Sequence, residues 1–328
     1  MNDRAPELFL AVGTNPAVDR VARFAGEAAG VVKASEFLET PGGKAVHTAM
    51  VARRLGAEAA LIVTAGGRNG DLLRELLEAE DFESKVVPVS GATRGTYTLV
   101  SRELADVTEV HEPSAPLTAE ECDELVAALD GFDRPPAVVA VCGSLPDGAP
   151  VDLHARLTAA ARERGDHTIL DCSTPAALSR GLAAGPDLAT PNLAEASRLL
   201  GRDDAGTVPP DTELLEIASA IRDLGARAVW LSLGSAGSVF ASGDGVTRLF
   251  APDSPAPVNA VGCGDALVGG YAAGLLAGEA PLAAAALGVA AATEKLAHLH
   301  PGEVDRPAVE SLRAGIETTA LEGARGPA

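Results

Sequence analysis

The run Val258-Asn259-Ala260-Val261-Gly262-Cys263-Gly264-Asp265 ends where an apolar, periodic stretch, 266–276, begins. Glycines at 262 and 264 let main chain approach a ligand closely. The first turn of a helix leaves its N–H groups unpaired and carries partial positive charge. Such a segment suits a phosphoryl group in transfer, and Asp265 at the same end can take a proton from an attacking hydroxyl. The same residues also suit a plainer role, an Asp capping a helix beside a tight glycine turn.

Three more segments have chemistry in them. Pro41-Gly42-Gly43-Lys44 leads into a helical pattern, 45–55, and offers close main-chain approach with one point charge. Asn15-Pro16-Ala17-Val18-Asp19 follows the first apolar run. In Thr190-Pro191-Asn192-Leu193-Ala194-Glu195, Asn192 and Glu195 stand three apart and share a helix face. They can hold a hydrated Mg²⁺ near phosphates, or form a reciprocal cap at a helix start. Cys263, at a helix start, is expected to be a reactive thiol of lowered pKa, with Cys122 in a helical pattern and Cys142 and Cys172 inert at the ends of buried strands.

These segments need a scaffold. Short apolar runs at 8–12, 60–64, 138–142, 168–171, 187–189 and 228–233 read as buried strands. Helical patterns at 71–80, 118–130, 153–164 and 214–224 lie between them, the second opening with the capping box Thr118 and Glu121. This alternation predicts a largely parallel sheet covered by helices on both faces. The regions 20–40 and 85–110 read as short β pieces forming a small separate sheet, and 238–250 as a hairpin turning at Gly243-Asp244-Gly245. In such sheets ligands bind beyond the carboxyl ends of the strands, which singles out 15–19, 66–67, 143–146, 171–174, 190–195 and 234–237.

The 328 residues are 47% hydrophobic and 22% charged, which excludes a disordered chain. Lys+Arg 26 against Asp+Glu 46 gives a formal charge of -20, a field that disfavours nucleic acid and anionic membranes. The cysteines show no CxxC or zinc spacing, and the charged start of the chain has no signal-peptide pattern. The Ala-rich stretch 280–292 is too short to span a bilayer. A cytoplasmic protein without nucleic-acid or membrane partners is expected.

In their order and separation the motifs resemble the PfkB/ribokinase family of ATP-dependent sugar kinases, above all the branch containing 1-phosphofructokinase and tagatose-6-phosphate kinase. They run from Gly13-Thr14-Asn15-Pro16-Ala17-Val18-Asp19 through Pro41–Lys44, Thr93-Arg94, Gly143-Ser144-Leu145-Pro146, Pro191–Glu195, Ser232-Leu233-Gly234-Ser235-Ala236-Gly237 and Val258-Asn259 to Gly262–Asp265. The resemblance spans about residues 8–300 and implies one ribokinase-like α/β domain over 1–328. Its core sheet would have about eight or nine strands. A small β-sheet lid, from about 16–41 and 86–112, would be a possible homodimer contact. It implies ATP and Mg²⁺ as cofactors and a small sugar or sugar phosphate as acceptor. Asp265 would be the catalytic base, and the N–H groups of Gly262, Cys263 and Gly264 the anion hole. Asn192 and Glu195 would hold Mg²⁺ and phosphate through water. Ser232, Gly234, Gly237 and Val258 would border the nucleotide. Asp19, Gly42, Gly43 and Ser144 would meet the sugar.

The chain departs from the branch at several of these places. His47 and His111 stand where the branch has Asn, Ala45 where it has Gly, and Thr190 where it has Lys. The histidines change the size and hydrogen bonding of the acceptor pocket. Lys33, eight residues before Pro41, with Lys44 and Arg94, supplies three cations from three segments for a sugar phosphate. The leading expectation is an ATP-dependent kinase that phosphorylates a hydroxyl of a sugar phosphate. The alternatives are a kinase of a free sugar, nucleoside or cyclitol, and a weakly catalytic ligand-binding member of the fold.

Overall fold

The computed structural model describes residues 7–27, 31–102, 107–132, 134–202, 206–252 and 257–321, so the charged start of the chain, 1–6, lies outside it. In chain order the elements are β1 (Leu8–Gly13), β2 (Ala17–Phe24), β3 (Glu36–Gly42), α1 (Lys44–Arg54), β4 (Glu58–Ala65), α2 (Gly67–Ala79), β5 (Glu83–Pro88), β6 (Arg94–Ser101), β7 (Val107–His111), α3 (Ala119–Ala127), β8 (Pro136–Cys142) and α4 (Leu153–Glu163). Then follow β9 (His167–Asp171), α5 (Pro175–Ala183), β10 (Leu188–Ala189), α6 (Leu193–Leu199), α7 (Asp211–Asp223), β11 (Ala228–Ser232), β12 (Ser238–Ser242), β13 (Gly245–Phe250), α8 (Cys263–Leu276), α9 (Pro281–Lys295), α10 (Arg306–Arg313) and β14 (Glu317–Ala320).

The apolar runs become the centre of a ten-stranded sheet, ordered β14-β13-β12-β11-β10-β9-β8-β1-β4-β5. From β11 to β5 neighbouring strands are parallel, and β12, β13 and β14 add an antiparallel edge. Both faces are covered, which is why the central strands read as continuous apolar runs rather than alternating ones. On β1, Leu8, Leu10 and Val12 face the layer of α3, α4, α5 and α7, through Leu125, Leu157, Leu178 and Leu214. Phe9 and Ala11 face the layer of α1, α2, α8 and α9, through Val46, Leu73, Tyr271 and Val289. Helix α8 is apolar around most of its circumference because sheet, α1 and α9 enclose it.

Two sequence expectations are corrected. The large sheet has ten strands, not eight or nine, and residues 86–88 belong to it, since β5 pairs with β4. The small sheet has the order β3-β2-β6-β7. It sits on the core through Val21, Val100 and Leu299. Asp19, Thr96, Thr40 and His111 form one cross-strand row in it.

Candidate active site

Helix α8 starts sharply. Gly262 has φ 87, and a Cβ there would lie 2.6 Å from the Pro301 carbonyl oxygen, so only glycine fits. The N–H groups of Gly264 and Asp265 then open the helix without acceptors inside it, while that of Cys263 makes a long bond, 3.4 Å, to the Ala260 carbonyl. Asp265 is buried, and its Oδ2 lies 2.8 Å from Nδ1 of His47 on α1. The other ring nitrogen of His47, Nε2, lies 2.8 Å from Oδ2 of Asp19 on β2. Thr96 donates its hydroxyl to Oδ1 of Asp19. Gly42 closes over this group, since a Cβ there would come 2.1 Å from the Asp19 carboxyl carbon.

The two sequence-predicted carboxylates thus share one histidine. Burial disfavours a charge on His47, but the hydrogen bonds to Asp19 and Asp265 outweigh it and raise its pKa to about 9. Only the imidazolium donates from both nitrogens, so both contacts are satisfied at neutral pH. Burial also opposes the Asp19 carboxylate, yet His47, Thr96 and Arg94 hold it below its usual range.

His111 does not join this group. It lies on the same face of the small sheet as Asp19 but two strands away, about 10 Å by strand spacing, exposed and paired with Glu109. The three expected phosphate cations do not converge either. Lys44 donates to Asp171 at the end of β9, at 2.9 Å. Burial opposes charge on Lys44, but the carboxylates of Asp171, Asp265 and Glu195 outweigh it and raise its proton affinity. Burial in turn pushes Asp171 up to about 6 against the pull of Lys44. Lys33 is exposed on the segment before β3. Arg94 faces inward at a different place from Lys44. It lines a small cavity with Thr14, Asn15 and Thr93, donates to the Asn15 carbonyl at 3.4 Å, and keeps its Nε buried with no partner among the described residues.

Thr96 was not singled out from sequence, and Asn15 and Asp171 only as members of segments expected at strand ends. The Asn15 side chain donates to the Ser144 hydroxyl at 2.8 Å and to the Ser114 hydroxyl at 3.3 Å, tying together the ends of β1 and β8. Asn15 falls just past β1 and Asp171 is the last residue of β9, so the strand-end signal reaches their segments but not their individual roles. Nothing local marks Thr96. Gly42, Gly43 and Lys44 line a second small cavity with Gly13, Asn15 and Gly143.

On the other side of Lys44, Asn192 and Glu195 form the reciprocal cap of α6. Asn192 Oδ1 accepts from the Glu195 N–H and Glu195 Oε2 from the Asn192 N–H. A bridge from Asn192 to Ser232 brings the two loops together. They border a cleft of about 270 Å³, lined by Asn192, Ser232 and Gly234 with Thr207 and Val208 opposite. Gly237 ends the short turn beneath it. Among the described residues no three acidic, His or Cys groups cluster to bind a metal.

Two expectations at the start of α8 are corrected. Val258, expected beside the nucleotide, packs with Val21, Val100 and Leu299 beneath the small sheet. Cys263 does not have the lowered pKa expected of it: burial pushes it up to about 11, with Lys295 opposing the rise and Asp265 adding to it. The other three thiols are buried and free.

The model of the pfkB family of carbohydrate kinases matches residues 11–304. The chain belongs to that family. The kinase is 34% identical over 307 residues to a 1-phosphofructokinase of Rhodobacter capsulatus, covering 89% of this chain and 92% of that protein. It is 28% identical over 318 residues to a 1-phosphofructokinase of Haemophilus influenzae, covering 96% and 99%. Its fold matches a possible 1-phosphofructokinase of Thermotoga maritima (TM-score 0.85, 20% identity, 96% and 100% covered). It also matches phosphofructokinase-2 of Escherichia coli in complex with fructose-6-phosphate (TM-score 0.82, 24% identity, 95% and 99% covered). The kinase is thus a sugar-kinase enzyme with the ribokinase-like α/β fold and its small second sheet.

Proposed function

We propose that this kinase transfers the γ-phosphoryl group of MgATP to a primary hydroxyl of a ketohexose monophosphate, of the fructose 1-phosphate or tagatose 6-phosphate type. The observation that carries the reading is the buried Asp265 at the N-terminal turn of α8. With Oδ2 held by His47, Oδ1 takes the proton from the acceptor hydroxyl. The acceptor oxygen forms its bond to the γ-phosphorus as the bond from phosphorus to the ADP oxygen breaks. The N–H groups of Gly262, Cys263 and Gly264, with Lys44 nearby, meet the charge on the transferring group. Asn192 and Glu195 would hold hydrated Mg²⁺, which neutralises the phosphates, and Ser232, Gly234 and Gly237 would lie under the nucleotide.

A phosphorylated acceptor is supported by the buried Nε of Arg94, which lacks a partner among the described residues and sits beside Thr14 and Asn15. The two relatives named 1-phosphofructokinase support it as well. Asp19, Gly42, Gly43 and Ser144 would meet the sugar, with His47 narrowing the choice because it occupies one oxygen of Asp19. The small sheet would serve as the lid. Its outer face exposes Phe37, Tyr97 and Val110, which suits a homodimer formed lid to lid. Among the described residues no helix is long and apolar enough to cross a membrane, in keeping with a cytoplasmic enzyme.

A coupled assay of ADP release over a panel of sugars and sugar phosphates tests the reading. The expected result is turnover with ketohexose phosphates, the fastest with fructose 1-phosphate or tagatose 6-phosphate. Turnover confined to unphosphorylated sugars would overturn it.

A further inference from the structure

Lys295, the last residue of α9, is fully buried. A buried ammonium is costly unless it is bonded. Its Nζ donates to the main-chain carbonyls of Asn259, at 2.7 Å, and His298, at 3.3 Å. Glu294, nearest in sequence among the carboxylates, is engaged elsewhere, by His298 Nε2 at 2.6 Å and the Asp305 N–H at 3.0 Å. Burial lowers the pKa of Lys295 to about 8, while Cys263, Asp265, Glu303 and Glu294 oppose the fall, so it is charged at neutral pH.

The carbonyl it holds belongs to the loop that launches α8. Asn259 also donates its Nδ2 to the Leu299 carbonyl at 2.8 Å and accepts the Val261 N–H on Oδ1 at 3.0 Å. The Val258 N–H donates to the Leu296 carbonyl at 2.7 Å. Gly262 then presses on Pro301. The loop 258–262 is thus laid along the turn 296–301, and the ammonium is the charged member of that seam.

We propose that Lys295 is a fixed internal cation beneath the anion hole, a positioning residue whose ammonium clamps the Asn259 and His298 carbonyls and so sets the N–H groups at the start of α8. It touches neither substrate. It acts by holding the Asn259–Gly262 loop in place and by adding positive charge behind the turn that meets the transferring phosphoryl. This rests on the reading of that turn as the anion hole.

The test compares kcat and KM for ATP and acceptor in Lys295→Met, which keeps the apolar stem, Lys295→Ala, Lys295→Arg and Asp265→Asn, with a melting temperature for each. The expected result is a fall in kcat of roughly 10–100-fold for the Met and Ala variants with KM values changed by less than about threefold, and a smaller loss for Arg. Added ammonium chloride restores part of the loss in Lys295→Ala, and tetramethylammonium chloride at equal ionic strength does not. Wild-type kcat in Lys295→Met overturns the proposal. So does a kcat loss that ammonium leaves untouched and that merely follows the melting temperature. Loss in Asp265→Asn with normal Lys295 variants sinks this inference alone, and normal turnover in Asp265→Asn sinks the anion-hole reading beneath it.

Discussion

In the proposed reaction Asp265 accepts a proton only in the transition state, so Asp265→Asn is expected to lower kcat by roughly 10²–10⁴ with little change in ATP affinity, measured by steady-state kinetics and nucleotide binding. His47 ties that base to Asp19, and its charge has a consequence for stability. Its pKa is about 9 in the fold against 6.5 for the free side chain. The stabilisation it brings is therefore complete below about 6.5, declines as pH rises, and is lost above about 9. Denaturant melts of wild type and His47→Gln should differ most at pH 6 and converge by pH 10; a gap that widens with pH would contradict the assignment. The reach of sequence reasoning is visible at these residues. That a helix starts at these glycines with Asp265 in its first turn was legible because four consecutive residues carry the pattern. The His47 contacts were not, since 28 and 218 positions separate it from Asp19 and Asp265. Cys263 misled for a different reason: its place at a helix start is local and visible, whereas the burial that raises its pKa to about 11 is not. Slow alkylation of Cys263 at pH 7, followed by peptide mapping, is the expected result.

Among elements, the capping boxes of α3 and α6 form as their spacing required, because both partners lie within one turn. Asn192→Ala should cost about 1 kcal/mol of stability by removing one such cap, and should also raise the KM for ATP, read by thermal melting and kinetics together. The central strands were legible from their apolar runs. Strand β14 was not, since all four of its residues are exposed and leave no apolar trace. Strand β5 was misplaced because its partly exposed edge reads like the small sheet beside it in sequence. Helices α8 and α9 cross closely at Gly288, where a Cβ would lie 2.4 Å from the Leu267 carbonyl oxygen and 2.5 Å from the Trp230 ring. Gly288→Val should therefore destabilise by ~1–3 kcal/mol or more, seen as a lower melting temperature.

For the whole molecule, the strands from β11 to β5 run parallel, and the loops proposed to meet phosphate lie at the edge where such strands end. The outer face of the small sheet is where a second copy would sit. Phe37→Glu should leave a monomer by light scattering if the lids pair, and an unchanged mass would remove that contact from consideration. The family-wide layout could be anticipated from motif order because the order of strands fixes which loops meet. The use to which each cation is put could not, since Lys44 finds Asp171 across 127 positions.

The His47 ring spans the joint between the small sheet and the core, with one N–H on Asp19 and the other on Asp265. Both protons are shut away from water, so they should exchange slowly and give separate downfield proton resonances. The Nε2 signal reports on the small sheet and the Nδ1 signal on the base. One imidazole thus offers two spectroscopic gauges, and the order in which they broaden as acceptor is added would tell whether the sheet moves before the base is engaged.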